Sequence, residues 1–198
     1  MTATDFIQII GTAAFAISGY LVGYNKRLDV LGVVITALLT AVGGGMIRDG
    51  LVGRIPQVFL QTDALIVVFA TLAIAWLVRV QRYRSTYLAA AFIIADAVGL
   101  AAFSITGAQI GMALQLNLFG VISLAFVTAV GGGIARDILV NEVPMILRTD
   151  LYGSVAILIG GLIYLFGRLG WINIFTLNLL FAGGLLFRLT AYRFHWQL

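Results

Sequence analysis

Five stretches of this sequence, residues 6–25, 30–47, 97–135, 151–167 and 169–187, contain no Asp, Glu, Lys or Arg. An α-helix rises 1.5 Å per residue, so roughly 20 apolar residues cross about 30 Å of hydrocarbon. Stretches of this length dominate a chain of only 198 residues. Hydrophobic residues make up 62% and charged residues 10%, against about 25% charged in an ordinary soluble domain. A soluble globular enzyme, a disordered chain and a disulfide-rich secreted module are excluded. What remains is an all-α polytopic membrane protein, surrounded by membrane lipid, with little mass outside the bilayer.

The charged residues punctuate seven transmembrane helices, near 5–24, 30–56, 64–80, 86–105, 117–144, 151–167 and 170–190. Lys26, Arg27, Arg79, Arg82, Arg84, Arg136, Arg148, Arg188 and Arg193 fall on one side, and Arg48, Arg54 and Arg168 on the other. Basic residues favour the cytoplasm, which predicts an outside N-terminus and a cytoplasmic C-terminus. The net charge of +4 therefore sets topology and implies no nucleic-acid partner. The first span is read as retained, because Asp5 precedes it and Lys26 and Arg27 follow it, the reverse of a secretory signal. The chain has no cysteine and one histidine, His195, read as an interfacial tail residue. No metal-ligand cluster or nucleophile–base pair is visible, so the expectation is no enzyme and no cofactor.

An internal repeat organises the spans. TAVGGGMIRDGLVGRIP at 40–56 and TAVGGGIARDILVNEVP at 128–144 share 11 of 17 residues at an offset of 88. AFAISG at 14–19 and AFSITG at 102–107 align at the same offset, and Thr62-Asp63 matches Thr149-Asp150 after one deletion. A unit of three spans, an odd number, places its second copy upside down. The expected organisation is a 3+3 inverted repeat within a single membrane domain, with residues 1–84 as the first repeat and 85–168 as the second. Residues 169–198 add a seventh helix and a short tail. Inverted repeats recur in proteins that move solutes across membranes.

The second span of each repeat carries a glycine triplet, Gly43-Gly44-Gly45 or Gly131-Gly132-Gly133. Glycine in a helix interior costs about 1 kcal/mol per residue relative to alanine, which predicts that spans two and five are broken there. Close packing of small residues is the alternative. A break frees the carbonyls of the preceding turn, around Thr40 and Thr128, and aims negative helix ends at a cation. Arg48-Asp49 and Arg136-Asp137 follow each triplet, and intramembrane charges are expensive unless paired or hydrated. They either pin the bent helices or line and gate a water-filled path. Asp96, with Gln8 as its counterpart at the same offset, is an accessory acidic residue, either a cation relay or a hydrogen-bond partner of a neighbouring helix.

The doubled GGGxxRDxLxxxxP after an AFAISG-like first helix resembles the trimeric intracellular cation (TRIC) channel family, in its prokaryotic form. The resemblance covers nearly the whole chain. It implies a homotrimer with no other protein partner, each subunit holding its own path for potassium and other monovalent cations. Glycine kinks would fall at 43–45 and 131–133, and pore-lining charges at Arg48, Asp49, Arg136 and Asp137. The phosphoinositide site of animal members is not carried over, because Arg48-Asp49-Gly50 stands where they have Lys-Glu-Val. A passive monovalent-cation channel, with potassium or sodium as the permeating ion, is the leading function. A secondary transporter of a small zwitterion such as glycine wants the same broken helices and paired charges, and a structural or lipid-binding membrane protein is a third class.

Overall fold

The structure is a computed structural model that describes residues 3–80, 85–149, 151–194 and 196. Arg82, Tyr83, Arg84, Asp150 and His195 lie outside the described residues. Among those described, regular structure is helical: α1 (Ala3–Asn25), α2 (Val30–Leu51), α3 (Asp63–Leu77), α4 (Ser85–Ala113), α5 (Leu118–Leu139), the single turn α6 (Met145–Arg148), α7 (Tyr152–Arg168) and α8 (Ile174–Arg193). A 3-10 turn at Gln57–Phe59 precedes α3. Helices α1, α2, α4, α5 and α8 are long and apolar enough to cross a membrane, and α3 and α7 are shorter apolar helices. Large apolar side chains such as Leu77, Phe119 and Phe175 face outward, 83%, 79% and 73% exposed. The interior is built from small residues, with Ala16, Ala37, Ala97, Ala125 and Ala156 fully buried.

The offset of 88 is visible atom by atom. The ends of α2 and α5 correspond residue for residue, and each begins on a capping side chain. Asp29 accepts from the Gly32 amide at 2.7 Å and Asn117 from the Gly120 amide at 2.9 Å, satisfying donors that a helix leaves orphaned at its start. Asp29→Ala and Asn117→Ala are each expected to lower stability by about 1 kcal/mol, read as a lower unfolding temperature of the detergent-solubilised protein. The preceding turns match too, with left-handed Arg27 (φ 55°) and Gln115 (φ 56°). Span four therefore runs to Ala113 and not to 105; no charged residue marks its end in the sequence.

Spans two and five are shorter than expected, ending at Leu51 and Leu139 and not at Pro56 and Pro144. A left-handed residue, Gly53 (φ 69°) or Asn141 (φ 55°), turns the chain out of each helix; glycine and asparagine are the types that visit this region at low cost.

The break expected at the glycine triplets does not occur. Both helices continue as α-helix through Gly43–Gly45 and Gly131–Gly133, so the carbonyls around Thr40 and Thr128 are not freed. The glycines serve close packing instead. A Cβ on Gly44 would lie 2.1 Å from the Thr128 carbonyl oxygen, and one on Gly132 would lie 2.0 Å from the Thr40 carbonyl oxygen. Residue 44 meeting 128 while 40 meets 132 makes the α2–α5 crossing antiparallel. The helices touch backbone to backbone, and the contact outweighs the local propensity cost. Gly19 and Gly107 do the same one layer out, against the Thr36 and Leu124 carbonyls.

Candidate functional site

Both Arg-Asp pairs sit beyond the α2–α5 crossing, at the far ends of these helices. Within each pair the Arg Nε donates to its own Asp Oδ1 at 2.8 Å. The other carboxylate oxygen turns outward and accepts a backbone amide eight residues on, Gln57 to Asp49 at 3.0 Å and Met145 to Asp137 at 2.9 Å. The recurring Arg-Asp followed by proline thus has a local reason. The aspartate ties the guanidinium to the turn after the helix, and the accepted amide is the one just past Pro56 or Pro144.

Beyond this shared frame the two repeats differ. Arg136 is fully buried. Its Nη1 donates to Ser18 Oγ at 2.6 Å and to Asp96 Oδ1 at 3.0 Å. Its guanidinium lies 5.0 Å from the centre of the Phe92 ring. A buried guanidinium is tolerable only with such compensation. Arg48 is 4% exposed and pairs with Asp49. The position matching Asp96 is the neutral Gln8, so the first repeat has one carboxylate where the second has two.

Two cavities reach the Arg-Asp pairs. The first, about 340 Å³, lies among α1, α2 and the start of α3, and its walls include Gln8, Gly45, Arg48, Asp49, Gln57 and Asp63. The second, about 510 Å³, lies among the end of α1, the start of α4 and the α5–α6 turn, and its walls include Lys26, Phe92, Asp137, Glu142, Met145 and Arg148. They share no wall residue. Arg48 faces the first cavity, whereas Arg136 is absent from the walls of the second, where only its partner Asp137 shows. Glu142 is held charged, its carboxyl below the usual carboxylate value because Lys26 and then Arg148 donate to it.

The remaining sequence-predicted residues fall between the cavities or beside them. Thr40 and Thr128 are buried, their hydroxyls donating within their own helices to Thr36 O at 2.6 Å and Leu124 O at 2.5 Å. Gly43 and Gly45, and likewise Gly131 and Gly133, flank the crossing contacts. Asp96 is 1% exposed and joins Arg136 directly, the hydrogen-bonding role weighed for it. Among the participants that escape a reading of the sequence are Ser18, Phe92, Tyr152 and Arg188. Arg188, assigned above to a cytoplasmic end, is 2% exposed and stacks on the Tyr152 ring at 4.7 Å. Its signal was present, since it is the first charge after the uncharged stretch 169–187. Ser18 sits inside the repeated AFAISG motif but no spacing rule connects it to residue 136.

Comparison with known proteins places this geometry. A prokaryotic TRIC channel whose crystal structure was determined in 0.5 M KCl has 32% sequence identity, a TM-score of 0.89 and 98% coverage of both chains. The trimeric intracellular cation channel orthologue of Rhodobacter sphaeroides, at 28% identity, has a TM-score of 0.90 over 99% of this chain and 100% of that one. The chain belongs to the prokaryotic TRIC family. Residues 5–82 and 93–168 match the TRIC-related family model described as glycine transporter. The UPF0126 membrane protein YvgT of Bacillus subtilis is 37% identical over 99% of this chain and 95% of its own. The UPF0126 inner membrane protein YadS of Escherichia coli K12 is 37% identical over 80% of this chain and 76% of its own. As a TRIC family member the chain is a multi-pass membrane protein.

Proposed function

We propose that this protein is a passive channel for potassium and other monovalent cations, with the ion path inside each subunit. The observation that carries the reading is the pair of cavities. They enter from opposite ends of the α2–α5 crossing, and each reaches an Arg-Asp pair. In this reading Gln8, Arg48 and Asp49 line one approach, Asp137 lines the other, and Arg136, locked by Asp96 and Ser18, closes the path between them. All seven long helices are spans, including the shorter α3 and α7. Residues 1–84 and 85–168 are the two repeats, and 169–198 the added helix and tail. The subunits form a homotrimer in the prokaryotic cell membrane, with lipid as the surrounding solvent. Potassium or sodium is the permeating ion, no cofactor takes part, and no enzymatic step belongs to the reading.

The test is planar-bilayer recording of purified protein in asymmetric KCl. Unitary currents reversing near the potassium potential support the channel. A second reading, a carrier of a small zwitterion, draws on the glycine-transporter description of the matching family model. It also draws on the first cavity, which gathers Arg48 with the carboxylates of Asp5 and Asp63. Absence of unitary current together with saturable glycine counterflow in liposomes is the result expected of that carrier.

The proposed orientation puts Lys26, the second cavity and the C-terminus in the cytoplasm. Phe194, 66% exposed at the end of α8, is a convenient reporter position in this cysteine-free chain. A Phe194→Cys variant is expected to resist an impermeant thiol reagent in intact cells and to react after permeabilisation. Reaction in intact cells reverses the orientation.

A further inference from the structure

The wall of the second cavity carries a group of three paired charges. There Glu142 accepts from Lys26 and from Arg148, the latter at 2.9 Å. Lys26 belongs to the turn after α1, in the first repeat, whereas Glu142 and Arg148 belong to the second. All three contribute to the wall of the second cavity. The triad therefore ties the two repeats together across an opening.

The fold does not need this tie. At the offset of 88, Glu142 corresponds to Arg54, Lys26 to Leu114 and Arg148 to Leu60, so the first repeat has no equivalent triad. It nevertheless makes the same turn. The Arg54 amide bonds Asp49 O at 2.8 Å, and the Glu142 amide bonds Asp137 O at 2.8 Å. Backbone hydrogen bonds and the Asp49 and Asp137 caps hold both turns, which leaves the Glu142 side chain without a part in forming its own.

We propose that the Lys26–Glu142–Arg148 triad is a clasp that narrows the mouth of the second cavity, so that releasing Glu142 lets the end of α1 and the α5–α6 turn part. The groups facing Glu142 are Lys26 from the α1–α2 turn and Arg148 from α6; Asp137 and Tyr24 are the other ionisable groups on the cavity wall. The partly exposed side chains, 36% for Lys26, 37% for Glu142 and 52% for Arg148, make the clasp weak and sensitive to ionic strength. Acid acts in the same direction. The donors hold the carboxyl below its usual value, so the clasp is intact at neutral pH and is lost as pH falls through that lowered value.

The proposal rests on the second cavity being one end of the ion path, but its test reads no current. A single cysteine is placed at Leu88, on the cavity wall, in the otherwise cysteine-free full chain. Its rate of reaction with an uncharged, water-soluble maleimide is measured in proteoliposomes. Adding Glu142→Gln is expected to raise the rate about three- to tenfold at neutral pH, the range two exposed ion pairs can supply. High salt is expected to raise the rate in the parent and not in the Gln variant. The pair Lys26→Glu with Glu142→Lys, which exchanges the charges, is expected to return the rate toward the parent's. Equal rates in the parent and in Glu142→Gln, with no salt dependence in either, overturn the clasp. Failure of the clasp leaves the channel reading standing, and a protein without unitary current leaves the labelling result standing.

Discussion

Gly44→Ala and Gly132→Ala are each expected to destabilise the protein by at least about 3 kcal/mol, the upper end of what overpacking a core does. The neighbouring Gly45→Ala is expected to be neutral or stabilising. The added methyl at 44 or 132 would lie 2.1 or 2.0 Å from a carbonyl oxygen of the facing helix. Backbone of a packed helix cannot step aside as a side-chain tip can, so the helices must separate and the contact is lost. At Gly45 the nearest heavy atom is the Arg48 Nη2 at 3.7 Å. There the methyl has room, and alanine regains up to about 1 kcal/mol of helix propensity. Unfolding temperature of the purified protein in detergent checks both. On ordinary domain scaling, 3 kcal/mol in a chain of this size is a drop of about 6–12 °C. If Gly44→Ala were as stable as Gly45→Ala, the backbone contact at the crossing would not be what the triplet provides.

The second large effect separates the two arginines. Arg136→Gln leaves Asp96 and Asp137 buried beside a neutral amide. Removing one member of a buried charge network typically costs 3–5 kcal/mol, so this variant is expected to show strongly reduced stability and assembly. Arg136→Lys keeps the charge but not the planar fork that reaches Asp137, Asp96 and Ser18 together, and is expected to fall between. Arg48→Gln leaves one buried carboxylate, Asp49, where Arg136→Gln leaves two, and is expected to lose less stability than Arg136→Gln. Asp49 keeps its bond from the Gln57 amide, and the new side chain faces the first cavity. With a positive charge removed from the approach, potassium conductance is expected to rise. Size-exclusion profiles and thermal melts report the first comparison, and unitary currents at matched voltages the second. Equal behaviour of the 48 and 136 variants in both assays would contradict the asymmetry of the site.

Much of this was legible in the sequence for identifiable reasons. Helix placement follows from the uncharged stretches, and the structure adds Asp29 and Asn117 as local caps that fix where α2 and α5 begin. The antiparallel crossing of α2 and α5 is what an 88-residue unit with an odd number of spans predicts. What the triplets do was less accessible, because propensity measures the local cost of a glycine and says nothing of what approaches it. The answer depends on the Thr128 and Thr40 carbonyls, 84 and 92 positions from Gly44 and Gly132, and on the helix faces that meet. The burial of Arg188 was hidden for a related reason. A charge at the end of an apolar run looks the same whether it reaches water or folds back onto Tyr152. The inequality of Arg48 and Arg136 was half visible, in Gln8 against Asp96. The other half, Ser18 and Phe92, comes from packing between α1, α4 and α5.

The α2–α5 crossing carries a consequence for how such a chain came to exist. Gly44 lies on Thr128 and Gly132 lies on Thr40, so each surface is received by a copy of itself turned over. A contact of this kind needs only one sequence to make both of its halves. A three-helix peptide of about half this length, inserted in the bilayer in both directions, would hold every residue the crossing uses. Duplication and fusion of such a peptide would fix one orientation for each half and leave the halves free to diverge. The residues that differ most between the two Arg-Asp sites, Gln8 against Asp96 and Arg54 against Glu142, are differences of that later kind, written over a contact that both halves still share.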